Sequence, residues 1–197
     1  EETERRLAPF KRPDGGYSKT EKSAISSTYH TFLANACRQL VGIDLSEEAG
    51  PIEQMILDRH RDDGGFVEFP PLAQSGTNPT AAAIGTLRLL DIIAPQLQQR
   101  AAGFLLSMQT SEGGLRANSR IPVADLLSTF TGLVALNDVD ALQRVDMLTL
   151  RRFTDSLECA TGGFRAGQWD EQPDAEYTFY GIGTLALLHD ERFTPES

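Results

Sequence analysis

Cysteine, positive charge and long apolar runs are all scarce in this 197-residue chain. Two cysteines, Cys37 and Cys159, are too few for a disulfide framework or a Cys-rich zinc site, so each is expected to pack as a small apolar residue. Lys and Arg total 18 against 28 Asp and Glu, a formal charge of −10. That balance argues against a nucleic-acid footprint, which needs a basic patch, and against docking on an anionic membrane. The longest apolar run, Ile182–Leu188, contains Gly183 and Thr184 and stops at His189-Asp190. It falls far short of the ~18–20 residues that span a bilayer. No Ser-His-Asp order, zincin pattern or P-loop occurs, since the Gly-Gly pairs lack the P-loop lysine and precede no strand. The length suits one domain, expected over 1–197, and a cytoplasmic location is expected of it.

What the chain does have is a repeat. Gly-Gly pairs occur in Asp14-Gly15-Gly16-Tyr17, Asp63-Gly64-Gly65-Phe66, Glu112-Gly113-Gly114-Leu115 and Thr161-Gly162-Gly163-Phe164. The first glycines are spaced by 49 residues every time. Thr31, Thr80, Thr129 and Thr178 keep the same stride, as do the small residues Ala34, Ala83, Gly132 and Gly181. Repeats are therefore placed near 14–62, 63–111, 112–160 and 161–197.

Each repeat reads as two helices. The first helices are expected over Ala24–Leu40, Thr80–Ile93, Ala124–Leu136 and Ala175–Leu188. They are apolar or small on most sides and should be buried. Second, more amphipathic helices are expected over Ile52–Arg61, Pro95–Gln109 and Ala141–Glu158, with Glu1–Phe10 as the second helix of a preceding unit. The glycines follow each second helix, where a positive φ turns the chain. Val67-Glu68-Phe69 ends at Pro70-Pro71 and reads as loop. Helix pairs in tandem imply an all-α fold, an arc of about four hairpins with first helices inside.

The unit Phe104-Leu105-Leu106, Gln109, Gly113-Gly114-Leu115, a loop, then Asp125 and Ser128-Thr129-Phe130 resembles the repeat of protein prenyltransferase β subunits and of squalene and terpene cyclases. The resemblance covers essentially the whole chain and implies an α/α toroid. It is closest to the β subunits of the protein geranylgeranyl- and farnesyltransferases. It implies an isoprenoid diphosphate in a central cavity and a helical α subunit as partner. Pro173-Asp174-Ala175-Glu176-Tyr177-Thr178 is similar to the transferase stretch Asp-x-Cys-Tyr, with Glu176 where the zinc thiolate stands. It is equally similar to the cyclase stretch Asp-x-Asp-Asp-Thr, with Tyr177 in place of an acid. Tyr29-His30-Thr31 looks like the stretch that supplies the transferases' zinc histidine.

The resemblance thus implies zinc on Asp174, Glu176 and His30, a count of ligands that leaves an open position. His30 lies three repeats from Asp174, so that set needs the arc to close or two chains to meet head to tail. In the cyclase reading Glu176 is the proton donor beside Asp174, provided burial among Tyr177, Phe179 and Tyr180 raises its pKa. The plain alternative is that both acids cap a helix start. A third reading is a scaffold or lipid-binding module that kept the fold and lost the ligands. Phe130, Tyr177, Phe179 and Tyr180 either line an isoprenoid-sized cavity or form ordinary core. Trp169 is expected to cover an edge or meet a partner, and His60 and His189 to be solvated. Arg116, Arg120 and Arg165 are the cations in the loops where a diphosphate would need them.

Overall fold

The computed structural model describes residues 1–189. Over these residues it is helical, with only isolated antiparallel bridges and no longer strand. The helices are α1 (Glu2–Leu7), α2 (Thr28–Leu40), α3 (Ala49–Leu57), α4 (Thr77–Leu89), α5 (Pro95–Ser107), α6 (Leu126–Asp138), α7 (Met147–Asp155) and α8 (Ala175–Leu188). The contacts divide the chain into two compact units, one over Glu1–Ala101 and one from Ala102 onward. In the first, α2 packs on α4; in the second, α6 packs on α8.

One hydrogen-bond motif explains the 49-residue stride. After each Gly-Gly pair the next residue is held by the threonine fourteen positions on. The backbone N–H groups of Tyr17, Phe66 and Leu115 donate to the Oγ1 atoms of Thr31, Thr80 and Thr129 at 2.9 Å, and that of Phe164 to Thr178 at 3.0 Å. The hydroxyls of Thr31 and Thr80 donate to the carbonyls four residues back at 2.7 Å, and that of Thr129 does so at 2.6 Å. A buried backbone N–H that a turn would otherwise orphan is thereby satisfied. Thr129→Val, which keeps the shape and removes the acceptor, is expected to cost about 1–3 kcal/mol in urea denaturation, the penalty of stranding the Leu115 N–H.

The glycines do a second job. Gly64 takes φ +89°, and a Cβ there would stand 2.5 Å from the Arg100 carbonyl oxygen. The turn thus lies directly against the backbone of the following hairpin's second helix. On the first helices, Phe32 sits over Gly85 and Phe130 over Gly183, where a Cβ would come within 2.7 and 2.4 Å of the rings. An aromatic of one hairpin fills the space left by a glycine of the next.

Several helix ends differ from expectation, each for a local reason. α2 begins at Thr28, four residues late, because Ser27 caps it by accepting from the His30 N–H. α4 begins three residues early, and Pro79 fits its first turn, where an N–H is not needed. It ends at Leu89, shortly before Asp91 takes φ 55°. The expected helix over Ala141–Glu158 is broken: Leu142–Arg144 is a 3₁₀ turn, Val145 is extended, and Asp146 caps α7 by accepting from Thr149 N–H. Glu1–Phe10 is likewise divided, with Pro9 in a 3₁₀ turn after α1.

Burial of the first helices is uneven. α4 and α6 bury most of their apolar residues, but α2 exposes Tyr29, Leu33 and Leu40, and α8 exposes Phe179 and Ile182. Cys37 is exposed and Cys159 half-buried, so neither is the core residue expected. His60 is not solvated: it packs on Phe66, with ring centroids 5.0 Å apart, its Nε2 is buried without a partner, and burial lowers its pKa. His189 is exposed and meets the Arg151 guanidinium at 3.0 Å. Trp169 folds over Gly167 and remains exposed.

Candidate functional site

The first turns of α6 and α8 gather carboxylates and aromatic rings. The stride that places Asp174 at the cap of α8 places Asp125 at the cap of α6. Asp174 is exposed and accepts from the Tyr177 N–H at 2.7 Å, so the capping reading holds for it. Asp125 accepts from the Ser128 N–H at 2.7 Å and the Ser128 hydroxyl at 2.8 Å. Burial pushes the Asp125 carboxyl above the usual aspartate range, against the pull of those bonds. Glu176 is exposed rather than enclosed by the aromatics, and its Oε1 accepts from the Tyr180 hydroxyl at 2.8 Å.

The aromatic residues named from the sequence do come together. Phe130 stacks on Tyr180 at 5.6 Å and meets Phe179 edge-on at 5.4 Å; Tyr180 meets Tyr177 at 6.0 Å and Phe179 at 5.7 Å. Tyr177 and Tyr180 pack on the core formed by Ala124, Leu126, Phe153, Leu157 and Phe164. Phe179 and Ile182 face out, 62% and 58% exposed. Burial, with the carboxylates of Asp125, Glu176, Asp174 and Asp170 around it, raises the Tyr177 pKa. The arrangement is an apolar aromatic face with an acidic head.

His30 lies in the other unit, in the first turn of α2, half-buried, with Nδ1 2.8 Å from the Ser27 hydroxyl. It lines a cleft of about 200 Å³ between α1 and α2. The structure therefore brings Asp174 and Glu176 together on one helix start but does not join His30 to them within a unit. Both acids and the histidine Nδ1 are engaged by protein groups, and no cluster of three His, Cys, Asp or Glu residues fit for a metal occurs among the described residues.

The loop cations are also engaged. Arg116 donates to the Ser107 carbonyl at 3.3 Å, and Arg165 to the carbonyls of Ser156 and Asp170 at 3.2 Å. Arg61 ties the loop one hairpin earlier in the same way, through Pro70 and Leu72. These arginines brace loops; Arg120 is exposed. Sequence reasoning passed over Asp125, although its 49-residue spacing from Asp174 was available as a signal.

Asp125 sets a pH dependence. Its carboxyl binds its proton more tightly folded than unfolded, so its contribution to stability falls as pH rises from the usual aspartate value through the raised one. Asn caps as well as Asp. Asp125→Asn is therefore expected to gain on the wild type as pH increases from roughly 3 to 7, read as the difference in urea midpoint.

The described residues form tandem helical hairpins, two of whose first helices, α6 and α8, share an aromatic face. The model of the prenyltransferase α/α-toroid domain matches residues 1–116 and 83–195, and the chain belongs to that family. Its structure is similar to Candida albicans protein geranylgeranyltransferase-I complexed with GGPP, with TM-score 0.78 and 20% identity over 95% of this chain and 60% of that one. It is also similar to the type II terpene cyclase MstE from Scytonema, with TM-score 0.72 and 17% identity over 94% of this chain and 54% of the cyclase. An MstE variant in complex with geranylgeranyl dihydroxybenzoate matches with TM-score 0.72 and 17% identity, over 94% of this chain and 55% of that one. The chain thus spans little more than half the length of these neighbours, and the likeness establishes the expected fold.

Proposed function

We propose that the aromatic face of α6 and α8 binds the hydrocarbon chain of an isoprenoid, a geranylgeranyl-sized diphosphate being the ligand class. The observation that supports this is the cluster of Phe130, Phe179 and Tyr180, in which Phe179, with the neighbouring Ile182, is exposed while Phe130 and Tyr180 are half-buried. Covering one such ring contributes about 1.5–3 kcal/mol. The neighbours' ligands, GGPP and geranylgeranyl dihydroxybenzoate, are of the same chemical class. The test is calorimetric titration of the chain with geranylgeranyl diphosphate. Binding is expected, weakened about tenfold or more by Phe179→Asp. Absence of binding both to the diphosphate and to geranylgeraniol overturns the reading.

The transferase form of this reading adds zinc on Asp174, Glu176 and His30, together with a helical α subunit. Zinc at one per chain, lost in Asp174→Ala, supports that form; metal-free chain that binds the isoprenoid supports binding alone. A second reading, protonation of the isoprenoid by a carboxylic acid, is favoured by Asp125, whose burial keeps its proton on to higher pH. Cyclised product lost in Asp125→Asn with binding intact supports it. Loss in Glu176→Gln instead assigns the proton to Glu176.

A further inference from the structure

One position of the repeat carries a side chain that titrates near neutral pH. His60 follows the end of α3, and the residues at the same stride are Lys11, Gln109 and Glu158. Each pairs across its Gly-Gly turn with the residue after the glycines, as His60 does with Phe66. Gln109 shows what an uncharged side chain does there. Its amide donates to the Gly113 carbonyl at 2.9 Å and to the Asp146 carbonyl at 3.1 Å, and its Oε1 accepts from the Asp146 N–H at 3.1 Å. Gln109 thus ties its turn to the residue that caps α7, with both ends of its amide bonded.

His60 is held differently. Its ring lies on Phe66 and is engaged by a hydrogen bond to the Gly64 backbone. Its Nε2 is buried and has no partner among the described residues. The charged groups around the ring are Arg100, on α5, and Asp62 and Asp63, on its own turn. Arg100 is fixed in place, its guanidinium donating to the carbonyls of Arg61 and Asp62 at 3.1 and 2.9 Å. Asp63 is committed to the turn, accepting from the Gly65 N–H at 3.0 Å and from the Ser75 hydroxyl at 2.7 Å. A proton on Nε2 would set a second cation near Arg100, where no described residue accepts from it. Burial, with Arg100, lowers the His60 pKa against the opposing pull of Asp63, the Gly64 backbone and Asp62.

We propose that His60 is an acid-sensitive latch: once protonated, its ring leaves Phe66 for solvent and the turn over 61–67 opens while the rest of the chain stays folded. The residues after Phe66 give that opening a consequence. The Val67 carbonyl accepts from the Thr28 hydroxyl at 2.7 Å, and the Glu68 carbonyl accepts from the Thr28 N–H at 3.2 Å. The Glu68 carboxylate reaches the Ser27 hydroxyl and the Tyr29 N–H. Opening at His60 therefore loosens the start of α2. The open turn binds the proton with the ordinary histidine pKa of about 6.5 and the closed turn more weakly, so the closed form loses ground as pH falls from about 6.5 toward the lowered value. Over that window the opening equilibrium rises up to about tenfold per pH unit.

Hydrogen–deuterium exchange of the full chain between pH 7 and pH 5, corrected for the intrinsic exchange rate, tests this. The N–H groups of Arg61, Gly64, Phe66 and Val67 are bonded within the turn or to Thr80. They are expected to lose protection roughly fivefold or more over that range. The matching N–H groups of Thr110, Gly113, Leu115 and Arg116, in the turn at Gln109, are expected to keep theirs. His60→Gln installs the side chain that the next hairpin carries, and His60→Leu packs on Phe66 without titrating. Both are expected to abolish the fall, and either one that folds suffices for the test. A wild-type turn with unchanged protection overturns the proposal, as does a fall that persists in the variants. An equal fall in the turn at Gln109, or throughout the chain, also overturns it.

Discussion

Gly113→Ala is expected to lower stability by about 3 kcal/mol or more, or to prevent folding altogether. Two costs combine. Gly113 takes φ +104°, a conformation that L-residues adopt only at a cost of about 1–2 kcal/mol. The Cβ would also stand 2.1 Å from the Thr149 carbonyl oxygen and 2.9 Å from the Leu150 nitrogen. Those are backbone atoms inside α7, which cannot swing aside like the end of a side chain; the helix must shift as a body, adding about 1–3 kcal/mol. Gly162→Ala separates the two costs. Among the described residues Gly162, at φ +90°, has nothing within 4 Å of its Cβ position, so the backbone cost of about 1–2 kcal/mol is what these residues impose. Urea denaturation of both variants reads the difference. Equal losses would show that the turn's conformation matters and its closeness to α7 does not.

This comparison also shows why the fold was legible in the sequence. Each Gly-Gly pair and its threonine belong to one closed motif, a turn whose N–H is held by a hydroxyl fourteen residues later, so both must recur together. The α8 bounds, Ala175–Leu188, follow directly from such periodicity. What was hidden depends on single side chains. The Asp146 cap breaks the expected third outer helix, and nothing in apolar spacing reveals a cap that competes with a helix running through it. At the candidate site the aromatic cluster was legible because its members sit on two repeat-related helices. Which carboxylate is enclosed was not legible: Glu176, close to three aromatics in sequence, is exposed, whereas Asp125 is half-buried. Sharing a helix face does not imply enclosure: the Tyr180 hydroxyl, four residues on, donates to Glu176 Oε1 and the carboxylate stays exposed.

Arg59→Ala is expected to cost about 3–5 kcal/mol, and Arg59→Met about 1–2 kcal/mol. Arg59 is 1% exposed, and its guanidinium reaches the Ser26 carbonyl and the Thr28 hydroxyl at 3.1 Å. It lies 3.5 Å from Asp14, which is itself partly exposed. Burial lowers its pKa despite the opposing pull of Asp14, Glu68 and Asp58, so the charge is held there at a cost. Its Nε is buried without a partner. The repeat indicates which part of the side chain matters more. At the same stride the other hairpins carry Phe10, Met108 and Leu157. Apolar bulk suffices at that position elsewhere in the chain, so volume is expected to outweigh charge. Alanine leaves a cavity beneath the start of α2 and strands the Ser26 carbonyl; methionine fills the space and strands only the carbonyl. Because Thr28 also donates to the Val67 carbonyl at 2.7 Å, it keeps a partner in both variants. The urea midpoints of the two variants decide the matter. If methionine costs as much as alanine, the guanidinium bonds that fix the first turn of α2, where Ser27 and His30 sit, dominate over packing.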